Sequence, residues 1–486
     1  MKNIISIRDF SKNDIESLID FAFKRKRKED TTTFDGKIAS LFFEPSTRTR
    51  LTFETAGHNL GFYVNGFAGS EGTSVKKGEP LIDTVRMLEG QNYQAIVMRH
   101  NLEGAARLAA DYLKIPVINA GDSSNQHPSQ TLLDLMTIVE KHGKIDGLNI
   151  AMVGDLKYGR TVHSLLQALE LYDVNITLVA PEMLKMPEWR VFDYENNTDK
   201  NINFTDNLQE AIDNSDVLYM TRVQRERFLK GAEGELEYKK VSSLYNLNAD
   251  MLKSAKEDMI VLHPLPRYKH NLEVGMDVDA TKHAWYFKQA ANGVPMREAI
   301  LMTVLGKGFE GKSHILRSED IWSDLEIING AAKNYNQDSH TLRNGTLIDH
   351  IEQKKGALVQ TVLGLDNYYE TVEFLVKNLN SSRYGNKAII GVEDKELSNK
   401  ELSKVGLFSN TATINIIRDG AVYRKGNVIL PSELTDLVVC QNDKCISTPE
   451  NHEHAPHKFY VESQEPLNLR CHYCEQTIGR EQIVLK

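Results

Sequence analysis

Ser46-Thr47-Arg48-Thr49-Arg50 sets hydroxyls and guanidinium groups side by side in one short run. An apolar stretch, Lys37 to Phe43, precedes it and reads as a buried strand that Pro45 ends. A helical pattern closed by Gly61 follows. The run thus lies where a strand gives way to a helix N-terminus, whose free backbone N–H groups attract anions, phosphate above all. Hydroxyls add donors, and arginine adds a planar fork that matches phosphate oxygens. An ordinary helix cap beside surface arginines would use the same residue types. Further groups of this character follow other strand-like runs: Arg99; His127 with Gln130; Arg160 at a helix start; Arg222 with Gln224; and His263-Pro264-Leu265-Pro266-Arg267. Ligands of open α/β sheets bind beyond the carboxyl ends of the strands, where all of these fall. Each alone would pass for a surface residue, but their coincidence predicts an anion site. A second cluster is formed by Cys440, Cys445, Cys471 and Cys474, spaced C-x4-C, 25 residues, then C-x2-C. Two close pairs predict a tetrahedral four-thiolate zinc site, structural because no position is left open. Two disulfides, which suit an oxidising compartment, or idle thiols would share the spacing.

The elements that must position these groups fall into three blocks. A chain of 486 residues allows about three domains. Its 41% hydrophobic and 26% charged residues are those of a soluble globular protein. A net charge of −9 gives no general attraction to nucleic acid or membrane, so an anion site must be a local cluster of cations. The N-terminus has no long apolar core or cleavage site, and no run approaches a membrane span, so a cytoplasmic protein is expected. The first block, to about His142, opens with a helix capped by Ser11, with Ile15, Leu18, Ile19 and Ala22 on its apolar face. The basic run Lys24 to Lys28 reads as the solvated end of that helix. Strand–helix alternation through His142 and again from Gly143 to Lys307 predicts parallel sheets. The last helix of the second block, around Gly293 to Gly306, is expected to cross back over the first. Gly154 to Gly159 lacks the G-x-G-x-x-G pattern, which excludes NAD or FAD binding there. Residues 308 to 343 read as a linker. In the third block, 357–365 reads as a strand, 368–380 as a helix, and 387–393, 411–420 and 421–427 as strands. His452, His454 and His457 could form a further metal site but read better as an exposed loop.

The first two blocks resemble the aspartate carbamoyltransferases, which open the committed part of pyrimidine synthesis. Ser46 to Arg50 and His127 to Gln130 resemble the carbamoyl-phosphate signature of all transcarbamylases. The runs around Ser74–Lys77, Arg99, Arg160, Arg222 and His263–Arg267 resemble the aspartate branch. The resemblance implies transfer of the carbamoyl group of carbamoyl phosphate to L-aspartate. Ser46, Thr47, Arg48, Thr49 and Arg99 would hold the phosphate. Thr49, His127 and Arg99 would polarise the carbonyl oxygen, and Gln130 with the backbone carbonyls of Pro264 and Leu265 would orient the amide. Arg160, Arg222 and Gln224 would bind aspartate. Ser74 and Lys77 would lie in a mobile loop reaching a neighbouring subunit's site, so that a homotrimer is the minimum working unit, and Lys77 would meet both substrates. Pro80 replaces the small hydroxyl residue common there. No metal or other cofactor is expected in catalysis, because fixed donors can stabilise the tetrahedral oxyanion. His127 reads as such a donor rather than a general base. An ornithine enzyme would carry a cysteine in the motif that here reads His263-Pro264-Leu265-Pro266, and two arginines suit a dicarboxylate instead.

The third block resembles the regulatory chain of bacterial aspartate carbamoyltransferases, through runs such as Gly345–Ile351, Leu437–Ser447 and Leu469–Glu475. It implies a CTP or ATP effector site on which Asp349, His350, Lys400, Lys404, Asn415 and Lys425 fall. The expected fold class is α/β: two parallel-sheet subdomains of transcarbamylase fold, then an α+β nucleotide-binding domain and a small zinc-binding β domain. The expected limits are 1–142, 143–307, a linker 308–343, 344–436 and 437–486. Pairing of regulatory parts could join two trimers into a hexamer. An inactive scaffold, or a zinc-ribbon protein binding nucleic acid, would need lost arginines or a basic stripe, and neither is present.

Overall fold

The computed structural model describes residues 3–223, 245–269, 272–306, 342–365, 372–381 and 385–486. It divides into two compact units, one of Met1–Ser313 with Lys444–Ile446, the other of His314–Asp443 and Ser447–Lys486. Gln224 and nearly all of the expected linker lie outside the described residues.

In the first unit, helix α1 (Lys12–Lys26) is capped reciprocally: the Ser11 side chain accepts from the Asp14 N–H, and the Asp14 carboxylate accepts from the Ser11 N–H at 2.9 Å. Ile15, Leu18, Ile19 and Ala22 are buried on its inner face, as expected. Strand β1 (Lys37–Phe42) leads into α2 (Thr47–Asn59), and β2 (Tyr63–Ala68) follows. Then come α3 (Leu81–Gly90), β3 (Ala95–His100), α4 (Ala105–Tyr112), β4 (Val117–Asp122) and α5 (Pro128–His142). The strands are parallel in the order β2-β1-β3-β4. β3 and β4 are buried throughout, because helices cover both faces of such a sheet. β2 is a largely exposed edge without an apolar run, so the sequence gives it no strand signal. Gly66 fits there because a Cβ would stand 1.9 Å from the Ser40 carbonyl oxygen.

The second half of this unit repeats the plan. β5 (Asn149–Val153), α6 (Arg160–Leu169), β6 (Asn175–Val179), α7 (Glu188–Thr198), β7 (Asn203–Thr205), α8 (Leu208–Asn214), β8 (Val217–Met220) and β9 (Ile260–Leu262) form a parallel sheet of order β7-β6-β5-β8-β9. α9 (Tyr286–Ala291) follows β9, and α10 (Gly293–Leu305) packs against α1, α2 and α5, crossing back as the sequence predicts. This packing corrects the reading of the basic run. Arg25 is not solvated: its Nε donates to Glu298 on α10 at 2.8 Å, and its side chain is 8% exposed. Glu298 also accepts from the Asn59 amide at 2.7 Å.

The second unit holds two antiparallel sheets. β10 (Gly345–Glu352), α11 (Gly356–Val362), β11 (Val372–Ser381), β12 (Gly385–Glu393), α12 (Asn399–Phe408), β13 (Thr413–Arg418) and β14 (Ala421–Asn427) give the strand order β11-β12-β10-β13-β14. Two expectations are reversed here. The run 357–365, read as a strand, contains helix α11, with Gly356, Val359 and Leu363 buried at helical spacing. The run 368–380, read as a helix, enters β11, which pairs antiparallel with β12 in the register Leu375↔Ile390. A short apolar run fits either period, and here the neighbouring strand decides it. β15 (Glu433–Thr435), β16 (Lys458–Gln464), β17 (Leu467–Cys471) and β18 (Thr477–Gly479) make the other sheet, in sequential order. No helix among the described residues is long and apolar enough to cross a membrane.

Candidate active site and metal centre

The loop after β1 delivers Glu44 to the centre of the site. Its Oε1 accepts from Arg99 Nη2 at 2.7 Å and from Arg160 Nη2 at 3.1 Å, and its Oε2 accepts from Arg160 Nη1 at 3.1 Å. Arg99 ends β3 in the first half, and Arg160 opens α6 in the second. Burial alone would raise the Glu44 carboxyl, but Arg160 and then Arg99 hold it down to about 2. Arg99 is lowered to about 10, by burial and by the charge of Arg160. Three ionised groups thus share one pocket, and an incoming anion has to compete with a carboxylate for both arginines.

Ser46 stands at the N-cap of α2 without making a side-chain cap, and Thr47 and Arg48 lie exposed on the first turn. Arg48 Nη2 donates to the Leu265 carbonyl at 2.5 Å, so the turn after β1 meets the turn after β9. Thr49 is buried, its hydroxyl 3.4 Å from His127 Nε2. Burial, then Arg160, Arg99 and Arg297, push the His127 imidazole well below its ordinary range, so it is neutral. Its Nδ1 has no hydrogen-bond partner among the described residues. Gly121, at φ +116°, packs beneath both groups: a Cβ there would meet Arg160 Nε and His127 Cδ2 at 3.4 Å. Gln130, one turn into α5, donates to Asp134 Oδ1 at 2.8 Å.

Pro264 and Leu265 stand half-buried after β9, and Leu265 has φ +54°. His263 Nδ1 accepts from the Leu265 N–H at 2.8 Å, and burial lowers this imidazole to about 3. Arg222, half-buried after β8, lies near enough to His263 and Glu273 to act on the charge of both. Arg267 turns away into a bidentate pair with Asp279, at 2.7 and 3.0 Å. Ser74 and Lys77 form a short exposed turn. The structure therefore brings together Thr49, Arg99, His127 and Arg160, and joins Arg48 to Leu265. Glu44 escaped the sequence reading although it adjoins the Ser46 motif. Asp134 escaped it too, and its signal was a lone carboxylate in the apolar run Leu132 to Ile138.

Cys440, Cys445, Cys471 and Cys474 converge, all buried, with their sulfurs within 4.8 Å of one another. The Cys440 and Cys474 sulfurs stand 3.6 Å apart, too far for a disulfide bond. A tetrahedral zinc with Zn–S bonds of about 2.3 Å needs sulfurs about 3.8 Å apart, so the thiol set fits a metal. His452 and His454 are exposed, as expected, but His457 is buried, and its backbone N–H donates to Asp436 at 3.2 Å. The exposed-loop expectation thus fails at His457, which folds against Asp436. Elsewhere in this unit, Asp349 on β10 is buried and accepts from Lys387 Nζ and from the His350 N–H, both at 2.6 Å. Asn415 on β13 is paired across the sheet with Leu347 and with Lys425 on β14. Lys404 on α12 donates to the Val362 carbonyl at 3.0 Å, and Lys400 lies exposed one turn earlier. Lys387 was not singled out from the sequence, because its partner is 38 residues away.

Two open parallel sheets with clustered guanidinium groups at their strand ends define a transcarbamylase. Family models match in the order carbamoyl-phosphate-binding domain of aspartate/ornithine carbamoyltransferase (residues 2–140), its Asp/Orn-binding domain (146–304), allosteric domain of the aspartate carbamoyltransferase regulatory chain (339–429) and metal-binding domain of that chain (432–484). The catalytic subunit of Thermococcus kodakarensis aspartate carbamoyltransferase is 54% identical over 310 residues, 63% of this chain and 97% of that one. The subunit from Chromobacterium violaceum is 52% identical over 309 residues, 63% of this chain and 98% of that one. The solved catalytic subunit of M. jannaschii aspartate transcarbamoylase superposes with TM-score 0.57 at 43% identity, covering 63% of this chain and 98% of that one. Aspartate transcarbamoylase from Trypanosoma cruzi, solved with carbamoyl phosphate and aspartate, gives 0.58 at 38% identity, covering 63% and 97%. The chain belongs to the aspartate carbamoyltransferase family and carries catalytic and regulatory domains in one polypeptide.

Proposed function

We propose that the first unit transfers the carbamoyl group by positioning and electrostatics alone, and that the second unit makes the reaction answer to a nucleotide. The observation that carries this reading is the Arg99–Glu44–Arg160 bridge. It holds Arg99, which would bind phosphate, against Arg160, which would bind aspartate. Phosphate would lie at the N-terminus of α2, on Ser46, Thr47, Arg48 and Thr49, with Arg99 beside it. Aspartate would lie on Arg160, Arg222 and Gln224. Its amine attacks the carbonyl carbon, and charge develops on the carbonyl oxygen, where Thr49, Arg99 and His127 donate. The neutral imidazole supports a donor role, since a base at His127 would have to gain charge facing three guanidinium groups. The phosphate then leaves with its charge held by Arg48 and Arg99, and can itself take the amine proton. Gln130 and the carbonyls of Pro264 and Leu265 orient the carbamoyl amide. Ser74 and Lys77 would complete a neighbour's site in a homotrimer, which regulatory pairing could extend to a hexamer in the cytoplasm.

In the second unit, Asp349, His350, Lys400, Lys404, Asn415 and Lys425 would hold a CTP or ATP effector, with lysines toward its triphosphate. The four cysteines would hold zinc, which supplies cross-linking of the module and no catalytic step. Domain limits at 142, 307, 343 and 436 belong to the same reading. The test is carbamoyl transfer by the purified chain to L-aspartate against L-ornithine, with and without CTP and ATP. Turnover of aspartate that nucleotides alter is expected. Turnover with ornithine alone would refute the catalytic half, and indifference to nucleotides the regulatory half.

A further inference from the structure

Asp134 lies on α5, fully buried, one turn beyond Gln130 and without a substrate role in the scheme above. Its two oxygens receive three donors: Gln130 Nε2 at 2.8 Å and Gln289 Nε2 at 2.6 Å on Oδ1, and the Tyr219 hydroxyl at 2.8 Å on Oδ2. These donors come from α5 itself, from α9 and from β8, so both halves of the unit converge on one carboxylate. Gln289 is 1% exposed, and its other end, Oε1, accepts from the His263 N–H at 2.8 Å. His263 in turn receives the Leu265 N–H on Nδ1 at 2.8 Å. A continuous chain of hydrogen bonds therefore runs from Asp134 to the turn carrying the Pro264 and Leu265 carbonyls.

The chemistry of the carboxylate sets the direction of both amides. Burial raises this carboxyl to about 7, while its three donors and the Arg297 charge favour the ionised form. Once ionised it only accepts, so Gln130 and Gln289 turn their NH2 groups toward it. That leaves Gln130 Oε1 as the end that can face outward, an acceptor for a substrate N–H. A free glutamine would present either end. The same carboxylate, through Gln289, fixes the main chain whose carbonyls are the other acceptors for that group. We infer that Asp134 is the positioning residue for recognition of the carbamoyl NH2, setting Gln130 and the Pro264–Leu265 turn as one acceptor array. This rests on the role given to Gln130 above and adds what makes that role directional. It also says what the site selects: an acyl phosphate whose acyl carbon bears an amino group, over one bearing a methyl group.

Acetyl phosphate, with methyl in place of amino, is the probe. The KM for carbamoyl phosphate and the inhibition constant of acetyl phosphate would be measured on the full chain and on its Asp134→Asn, Gln130→Ala and Gln289→Met variants. In Asp134→Asn one accepting oxygen becomes an NH2 donor, so the amide can turn that donor toward Gln130 and Gln289, and neither is any longer obliged to present its own NH2. The carbamoyl phosphate KM should rise about tenfold or more, the scale of losing a buried acceptor for a substrate N–H, with acetyl phosphate inhibition unchanged within about twofold. Equal loss for both ligands would make Asp134 a scaffold residue and overturn the inference, as would no loss for either. If Gln130→Ala keeps full discrimination, the role of Gln130 itself falls. If Gln130→Ala loses discrimination and Asp134→Asn keeps it, only the inference falls. Should Asp134→Asn not fold, Gln289→Met decides: it retains the carboxylate and its bond to Gln130, and removes both the donor to Asp134 and the acceptor for the His263 N–H. A selective loss for carbamoyl phosphate is expected there too, and a uniform loss or none would overturn the relay.

Discussion

Replacing Glu44 by glutamine removes the charge that Arg99 and Arg160 share while keeping the shape. The carboxyl is held at about 2 against an ordinary 4.5, which corresponds to roughly 3 kcal/mol of coupling between its charge and the fold. About a third of the side chain is exposed, at 32%, and solvent screening reduces the expected contribution to about 2 kcal/mol. For a unit of roughly 300 residues that is a fall in Tm of about 3 °C. The folded value is the depressed one, so this stability is fully present above pH 4.5 and is lost as pH falls toward 2. Wild type should thus lose an increment between those values that the variant never had, and the two unfolding curves should converge in acid. Inorganic phosphate supplies a second readout. With the carboxylate gone, the two arginines lack their internal anion, so phosphate should raise the Tm of the variant by more than that of wild type. Thermal unfolding at pH 7 and pH 3.5, with and without phosphate, measures all of this. An unchanged Tm at neutral pH, or equal stabilisation by phosphate, would refute the reasoning.

Changing Arg48 to Ala should lower turnover by about a thousandfold or more, the scale of losing a key oxyanion or leaving-group contact, with the circular dichroism spectrum intact. Full activity would sink the phosphate assignment. Changing Cys471 to Ser should lower bound zinc, read by elemental analysis, and unfold the module around β15 to β18 while aspartate turnover by the first unit survives; unaltered zinc content would exclude these ligands. Changing Lys387 to Met leaves Asp349 buried without its cation and should cost about 3 kcal/mol or more in the second unit. Nucleotide affinity should fall with it, and calorimetric titration with CTP showing wild-type affinity would separate Lys387 from the effector site.

What could be read in advance was whatever the chain writes locally. The Ser46 run, the His127 and His263 motifs and the cysteine pairs each declare their chemistry within a few residues, and alternation announced the parallel sheets. The partners that give those motifs direction are distant. Arg160 is 116 residues from Glu44, and Gln289 is 155 from Asp134, so only folding reveals the pairs. Glu44 shows a subtler failure, since a carboxylate next to a motif expected to bind phosphate looks unfavourable until both arginines are seen to hold it. The reversal of the runs 357–365 and 368–380 has another cause. Short apolar runs fit a helix or a strand, and the pairing of β11 with β12 settles what local periodicity leaves open.

The return of α10 across α1, α2 and α5 separates order along the chain from order in assembly. A fragment ending at His142 would leave those three helices with a bare apolar face, and Arg25 without the Glu298 carboxylate that receives it. A fragment beginning at Gly143 would carry, at its far end, a helix whose partners it lacks. Neither half of the first unit is therefore a portable module, and insertion or truncation that delays the arrival of α10 delays completion of the part synthesised first. In a growing chain the carbamoyl-phosphate half would wait, incompletely covered, until residues near 300 had been made.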